Sequence, residues 1–134
     1  MLKEQLKKEA LGNVHFIDFQ NQEIMPVVYL LGDVFVLPSQ GPGETWGLAV
    51  NEAMACGLSV LVSDKCGCAE DLVKDGVNGY IFESNNLDDL VEKMNLLALK
   101  CNLPLMGEES FKIINDYAYD NLCNNIEKTV QGLQ

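Results

Sequence analysis

Short apolar blocks separated by amphipathic stretches predict an alternation of strands and helices. Four blocks are typical of strands: NVHFID, DVFVLP, SVLVS and YIF, at residues 13–18, 33–38, 59–63 and 80–82. Helical spacing recurs elsewhere, with Leu2, Leu6 and Ala10 on one face. Further helices are expected at about residues 24–31, 47–56, 69–74, 86–101 and 107–133, the last with a break near 117–120.

Apolar strands that are each followed by a helix are typical of a parallel sheet covered on both faces. We therefore predict the α/β class, with a Rossmann-like parallel sheet of about four strands and helices on both faces. The chain has 134 residues, of which 48% are hydrophobic. This length allows one compact domain and no second full domain.

Composition limits the classes of partner. The chain has 20 acidic residues against nine lysines and no arginine, for a net charge of −11 at pH 7. Nucleic acid is not expected, because phosphate backbones are bound by basic patches. The longest uncharged runs are about a dozen residues, short of the roughly 18 a membrane helix needs. The start, MLKEQLKKEALG, does not resemble a signal peptide, so we expect a cytoplasmic protein.

The five cysteines are an odd number, which favours reduced thiols. Cys56 and Cys101 fall where a buried helix is predicted. Cys66 and Cys68 could suggest a metal site, but structural zinc sites prefer two residues between paired cysteines, and the single histidine, His15, is distant in sequence. We expect no metal and no other cofactor.

The loop SQGPGET, after the second predicted strand, is the candidate site. Ligands of such sheets bind beyond the carboxyl ends of the strands, where loops lead into helix N-termini. Gly41, Gly43 and Gly47 permit sharp turns and a close approach of a ligand, and Ser39 and Thr45 can supply hydroxyls. A flexible loop before a capped helix would account for the same pattern.

Glu52 is the one charged residue between Gly47 and Asp64. A partly buried carboxylate costs several kcal/mol unless hydrogen bonds or a partner compensate. No arginine exists to pair with it, whereas a vicinal diol such as that of ribose could donate two hydrogen bonds. Glu44, eight positions earlier, can face the same cleft. Alternatively, Glu52 reaches solvent and Glu44 is simply favoured by the helix dipole.

Together these residues resemble the retaining GT-B glycosyltransferases of group 1, of the family-four type. The run ETWGLAVNEAMACG is similar to the two-glutamate signature of that family, with seven residues between the acids. VHFIDF, DVFVLPS, SVLVSD and CAEDLVKDGVNGYIF follow the order and spacing of the family. Leu58 and Ser59 stand where the family usually has Gly-Pro-Val, and Asp18 stands where a glycine is common. The resemblance covers roughly residues 12–133.

The resemblance implies half of a donor domain that binds a nucleotide-diphosphate sugar without a metal. Glu44 would be the catalytic residue and would bond the hydroxyls of the donor sugar. Glu52 would hold the ribose diol, and backbone near Ile17 would contact the base. The implied donor-binding residues are Ser39, Glu44, Thr45, Trp46, Gly47, Leu48, Glu52 and Ile17.

The resemblance also implies a larger parent enzyme. The acceptor domain of the family, and the first donor-domain strands with their diphosphate-neutralising basic pair, would precede Met1. We expect a parent in polysaccharide biosynthesis that transfers a hexose with retention to a glycan or glycolipid, with possible peripheral membrane contact through the preceding domain. The chain alone is expected to be inactive. The missing strands would fall between VHFID and DVFVLP, which predicts either direct pairing of these two or self-association through strand edges.

Two other functions fit the same residues. One is a non-catalytic nucleotide-sugar-binding or interaction module, and the other is a GT-B nucleotide-sugar epimerase fragment with its catalytic acids in the missing domain. A Rossmann dehydrogenase fits less well, because GPGETWG follows an internal strand and has the wrong spacing for G-x-G-x-x-G.

Overall fold

The computed structural model describes residue 4 and residues 12–41 and 44–132. The predicted helix through Leu2, Leu6 and Ala10 lies outside the described residues. Within them the strands are β1 Val34–Leu37, β2 Ser59–Ser63 and β3 Gly79–Phe82. The helices are α1 Met25–Tyr29, α2 Leu48–Ala55, α3 Ala69–Leu72, α4 Leu87–Lys100, α5 Leu103–Asn115 and α6 Tyr119–Gln131.

The three strands form a parallel sheet in the order β1-β2-β3. Phe35 of β1 lies opposite Val60 of β2, and Leu61 of β2 lies opposite Tyr80 of β3. Helix α2 connects β1 to β2 and helix α3 connects β2 to β3, as parallel pairing requires. The α/β class and the helix-covered parallel sheet are therefore confirmed.

Alternating residues of the central strand enter two hydrophobic clusters, one on each face of the sheet. Val60 and Val62 join the first cluster, and Leu61 joins the second. The first cluster includes Val50, Met54, Cys66, Cys68, Ala69, Leu72 and Val73. The second includes Phe82, Leu97 and Met106. All five residues of β2 are buried, which is consistent with the apolar residues Val60, Leu61 and Val62 at its centre.

The strand predicted at residues 13–18 is not formed. Residues 13–18 are assigned no strand, and Val14, Phe16 and Ile17 are exposed. β1 pairs with β2, and no residue of 13–18 joins its ladder, so direct pairing, the first of the two predicted outcomes, is wrong among the described residues. Self-association through strand edges stays a prediction. A strand requires a neighbour to satisfy its backbone groups, and the sequence pattern alone does not provide one.

Two of the described helices begin at side-chain caps. Asn86 caps α4 by accepting a hydrogen bond from the Asp89 amide at 3.1 Å. Asn102 caps α5 by accepting one from the Leu105 amide at 3.3 Å, with Pro104 in the first turn. Helix α5 therefore begins four residues earlier than predicted. The predicted break is confirmed, because α5 ends at Asn115 and α6 begins at Tyr119.

Two cysteine positions differ from expectation. Cys56 and Cys101 are half-buried residues immediately after α2 and α4, not buried helix residues. The buried thiols are those of Cys66 and Cys68. Among the helices in the described ranges, none has the length and apolar character needed to cross a membrane.

Candidate functional site

The segment between β1 and α2 turns into the helix at Gly47. This residue has φ 96° and ψ 55°, a left-handed conformation that favours glycine. A Cβ added there would meet Cys66 Sγ and would lie 3.4 Å from Cys68 Sγ. Gly47 therefore has two reasons to be glycine, backbone conformation and lack of space. Gly43, also expected to aid this turn, lies outside the described residues.

Residues 66–68, here called the CGC segment, support the backbone of residues 45–47. The Cys68 amide donates to the Trp46 carbonyl oxygen at 2.9 Å, and Cys66 Sγ donates to the same oxygen at 3.2 Å. Gly67 lies so close that a Cβ there would overlap the Thr45 carbonyl oxygen. The CGC segment thus holds in place the loop that leads into α2.

This supporting role was missed by the sequence analysis, which considered the two cysteines only as metal ligands. Within the described ranges, no group of three or more His, Cys, Asp or Glu side chains is arranged to hold a metal ion. The two sulfur atoms lie 3.7 Å apart, and Cys68 Sγ lies 3.9 Å from the Gly47 carbonyl oxygen. The available signal was a glycine between two small residues, four positions after a buried strand.

Burial, followed by the neighbouring Cys66 and Glu44, raises the pKa of the Cys68 thiol to about 12. The ordinary pKa of a cysteine thiol is about 9.0. The folded protein therefore keeps this thiol protonated in a pH range where the unfolded chain releases the proton.

Stability is therefore expected to fall as the pH rises above about 9 toward the folded value. The raised folded pKa makes the stabilisation fully present below the unfolded value and progressively lost above it. Urea unfolding measured between pH about 8 and about 10 should show that the free energy of unfolding declines more steeply with pH for the unchanged chain than for Cys68→Ala. Cys123→Ala, at an exposed thiol of α6, is the matched control. Equal slopes in the unchanged chain and Cys68→Ala would contradict the prediction.

Both oxygens of Glu52 accept hydrogen bonds from neutral side chains. Gln22 Nε2 donates to Oε1 at 2.7 Å, and the Tyr29 hydroxyl donates to Oε2 at 2.8 Å. The carboxylate is half-buried on α2. Besides an arginine or a ligand, these two neutral donors are a third way to compensate the burial of the Glu52 carboxylate.

Glu52 also affects the pKa values of two neighbouring groups, the Tyr29 hydroxyl and the Cys56 thiol. Burial raises the pKa of the Tyr29 hydroxyl, and the hydrogen bond and charge of Glu52 raise it further. Burial also raises the pKa of the Cys56 thiol, with Glu52 as the second cause. The Tyr29 hydroxyl is therefore a protonated donor at neutral pH.

Hydrogen bonds tie together the carboxyl ends of the three strands. The Ser39 carbonyl oxygen accepts from Ser63 Oγ at 2.6 Å and from Ser84 Oγ at 3.2 Å. Asp64 Oδ1 accepts from the Ser84 amide at 2.8 Å. Lys65 Nζ lies 2.9 Å from Asp64 Oδ2, and this hydrogen bond is the largest cause that lowers the Asp64 pKa. This lysine is therefore partly neutralised at the sheet edge.

A cavity of about 240 Å³ adjoins Ser39 at this edge. It is lined by Pro38, Ser39, Gln40, Phe82, Ser84, Asn85, Asn86, Leu87 and Leu90. A second cavity of about 370 Å³ adjoins Glu52. It is lined by Asn51, Glu52, Ala55, Phe111, Ile114, Asn115, Tyr117 and Ala118.

The structure brings most of the predicted site residues into one loop and helix. Thr45 and Leu48 are exposed, while Glu44 and Trp46 are half-buried. Trp46 Nε1 donates to Asn51 Oδ1 at 3.0 Å, which fixes the indole against α2. Ile17 is 59% exposed and lies in a separate segment, which Gln22 connects to Glu52.

Comparison with known protein families gives one family match over most of the chain. The family model described as glycosyl transferases group 1 matches residues 1–109. A sulfoquinovosyl transferase of Arabidopsis thaliana is 40% identical over 72 residues, which are 52% of this chain and 14% of that protein. A lipopolysaccharide 1,2-N-acetylglucosaminetransferase of Salmonella typhimurium is 29% identical over 115 residues, which are 84% of this chain and 30% of that protein. The chain therefore spans a minor part of each relative's length.

Solved structures share the fold. A sucrose-phosphate synthase of Thermosynechococcus elongatus matches with a TM-score of 0.78 at 19% identity, over 98% of this chain and 33% of that one. The Anabaena protein HepE, in complex with UDP and glucose, matches with a TM-score of 0.76 at 24% identity, over 98% of this chain and 35% of that one. These likenesses show that the chain shares its α/β fold with part of each of these proteins.

Proposed function

The chain belongs to the glycosyl transferases of group 1, and from this premise we propose that it forms part of the donor side of a retaining hexosyltransferase. The donor would be a nucleotide-diphosphate sugar and the acceptor a glycan or glycolipid. The names of the relatives support sugar transfer, and the UDP and glucose bound to HepE support a nucleotide-sugar donor. The parent enzyme would work in the cytoplasm, with membrane contact through a preceding domain.

The observation that carries the proposal is the hydrogen bonding and partial exposure of the Glu52 carboxylate. Its carboxylate offers about four acceptor sites, and Gln22 and Tyr29 occupy one on each oxygen. The side chain is half-buried and not sealed from solvent. A ribose diol could therefore donate to the remaining acceptor sites, as it does to acidic residues in other nucleotide sites.

The loop before α2 would hold the rest of the donor. Backbone amides around Trp46, Gly47 and Leu48 would meet the sugar and diphosphate at the helix N-terminus, where the helix dipole favours negative charge. The hydroxyls of Ser39 and Thr45 would add hydrogen bonds. The CGC segment keeps this backbone in place, so its geometry is set before the donor arrives.

Glu44 would act on the sugar itself. Its carboxylate would bond the sugar hydroxyls and stabilise the positive charge that develops on the ring as the anomeric bond breaks. Backbone near Ile17 would contact the base. In this proposal no metal takes part, since the amides and the helix N-terminus meet the diphosphate.

The test is titration of the chain with UDP, GDP and ADP by NMR at physiological salt, where screening over about 8 Å limits repulsion by the acidic surface. We expect one of these nucleotides to bind and Glu52→Gln to weaken it about tenfold, because a charged acceptor forms stronger hydrogen bonds than an amide. Glu44→Gln should leave its affinity unchanged, since its proposed partner is the sugar.

Glu44→Gln is also the matched control, because it removes the same charge eight positions away. Binding of none of the three nucleotides would contradict the proposed function. Equal losses in both variants would contradict the separate roles of the two glutamates and indicate a general charge effect.

A further inference from the structure

Tyr29 of helix α1, which is not part of the two-glutamate signature, holds the Glu52 carboxylate in place. We infer that Tyr29 is a positioning residue for the nucleotide, because its hydroxyl orients Glu52 toward the ribose diol. This inference rests on the function proposed above.

Packing of the tyrosine ring holds the Tyr29 hydroxyl in one position. The side chain is only 7% exposed and belongs to a buried group with Ala53 and Leu58. Its ring meets the Phe35 ring edge-on, with centroids 5.6 Å apart and planes at 75°. Phe35 is part of β1, so the sheet limits the position of the tyrosine ring.

Glu52 gains order from this contact. A free glutamate samples many rotamers, and fixing one of them on ligand binding costs conformational entropy. The 2.8 Å hydrogen bond from Tyr29 fixes Oε2 before a ligand arrives. Gln22 bonds Oε1 at 2.7 Å, but this contact is exposed and so orders the carboxylate less. Tyr29 therefore carries the larger share of the preorganisation.

The hydroxyl remains a donor under working conditions. Burial, followed by Glu52, raises the pKa of Tyr29, so the phenol keeps its proton well above neutral pH. Since the phenol is neutral, it orients the carboxylate without cancelling its charge. The full charge stays available to the two ribose hydroxyls.

A thermodynamic cycle between the Tyr29 hydroxyl and the ribose diol tests the inference. The probes are whichever of UDP, GDP or ADP binds best and its 2′,3′-dideoxy counterpart, titrated against the unchanged chain and Tyr29→Phe. We expect Tyr29→Phe to weaken the ribonucleotide about five- to tenfold and the dideoxynucleotide less than about twofold. A purely structural role would weaken both equally.

Tyr80→Phe is the matched control. It removes a hydroxyl that lies 3.7 Å from Cys101 Sγ, in the second hydrophobic cluster. This variant should change neither affinity, and thermal unfolding should show that both variants fold. Equal weakening of the two nucleotides by Tyr29→Phe, or no weakening, overturns the inference and leaves the proposed function standing. Failure of the unchanged chain to bind any of the three nucleotides overturns both.

Discussion

Gly67→Ala is expected to destabilise the chain by about 3 kcal/mol, at the upper end of typical overpacking costs, and to abolish nucleotide binding. The added Cβ would overlap the Thr45 carbonyl oxygen and lie 3.0 Å from its carbon and 3.3 Å from Trp46 Cα. These are backbone atoms, so no side-chain rotation can relieve the overlap. The loop would have to move away from the CGC segment, and its amides with it.

Urea unfolding and nucleotide titration measure the two effects of Gly67→Ala. The matched control is Gly32→Ala, where the nearest atom to the added Cβ is the Val34 carbonyl oxygen at an ordinary 3.8 Å. This control should stay within about 0.5 kcal/mol of the unchanged chain and bind nucleotide normally. A Gly67→Ala protein of unchanged stability and affinity would show that the CGC segment does not hold the loop.

Asn78→Ala is expected to cost about 3 kcal/mol, because it removes two buried hydrogen bonds at once. Asn78 is fully buried, and its Nδ2 donates to the Leu72 carbonyl oxygen at 3.0 Å. Its Oδ1 accepts from the Lys74 amide at 2.7 Å. Alanine would leave both backbone groups without this partner, between the end of α3 and the start of β3.

Denaturant unfolding measures the Asn78 effect, and Asn95→Ala, on an exposed position of α4, is the control. The control should be neutral or slightly stabilising, since alanine favours helix. Asn78→Asp separates the effect of side-chain volume from the effect of hydrogen bonding, because it keeps the volume and loses the donor to the Leu72 carbonyl oxygen. If it matches the unchanged chain near neutral pH, the hydrogen bond to the Leu72 carbonyl oxygen is not a source of the stability.

The fold was largely predictable because its strands are local patterns. The strand at residues 59–63 was predicted with its observed bounds. The predicted bounds of β1 and β3 lie within a residue or two of the observed ones. Residues 13–18 have a similar pattern but form no strand, because pairing depends on a neighbour that the pattern does not reveal. The early start of α5 was readable from Asn102 and Pro104, which are a capping residue and a first-turn proline.

The candidate site was predictable to the extent that its residues are adjacent in sequence. The motif identifies the loop, Gly47 and Glu52 by spacing alone. The contacts of Trp46 with the CGC segment, and of Glu52 with Tyr29, join residues that are 20 or more positions apart. No local pattern encodes such a contact, so these supports became visible only in the folded chain.

The position of the CGC segment directly after β2 has a consequence for the time scale of loop motion. β2 is the central strand and is buried along its length, which is typical of the segments that exchange their amide hydrogens last. The Trp46 carbonyl oxygen accepts a hydrogen bond from the Cys68 amide, which lies two residues after Cys66 and five after the end of β2. Opening of the loop would expose that amide to solvent. Hydrogen exchange at Cys68 therefore reports how often the loop detaches from the slowest-exchanging part of the protein.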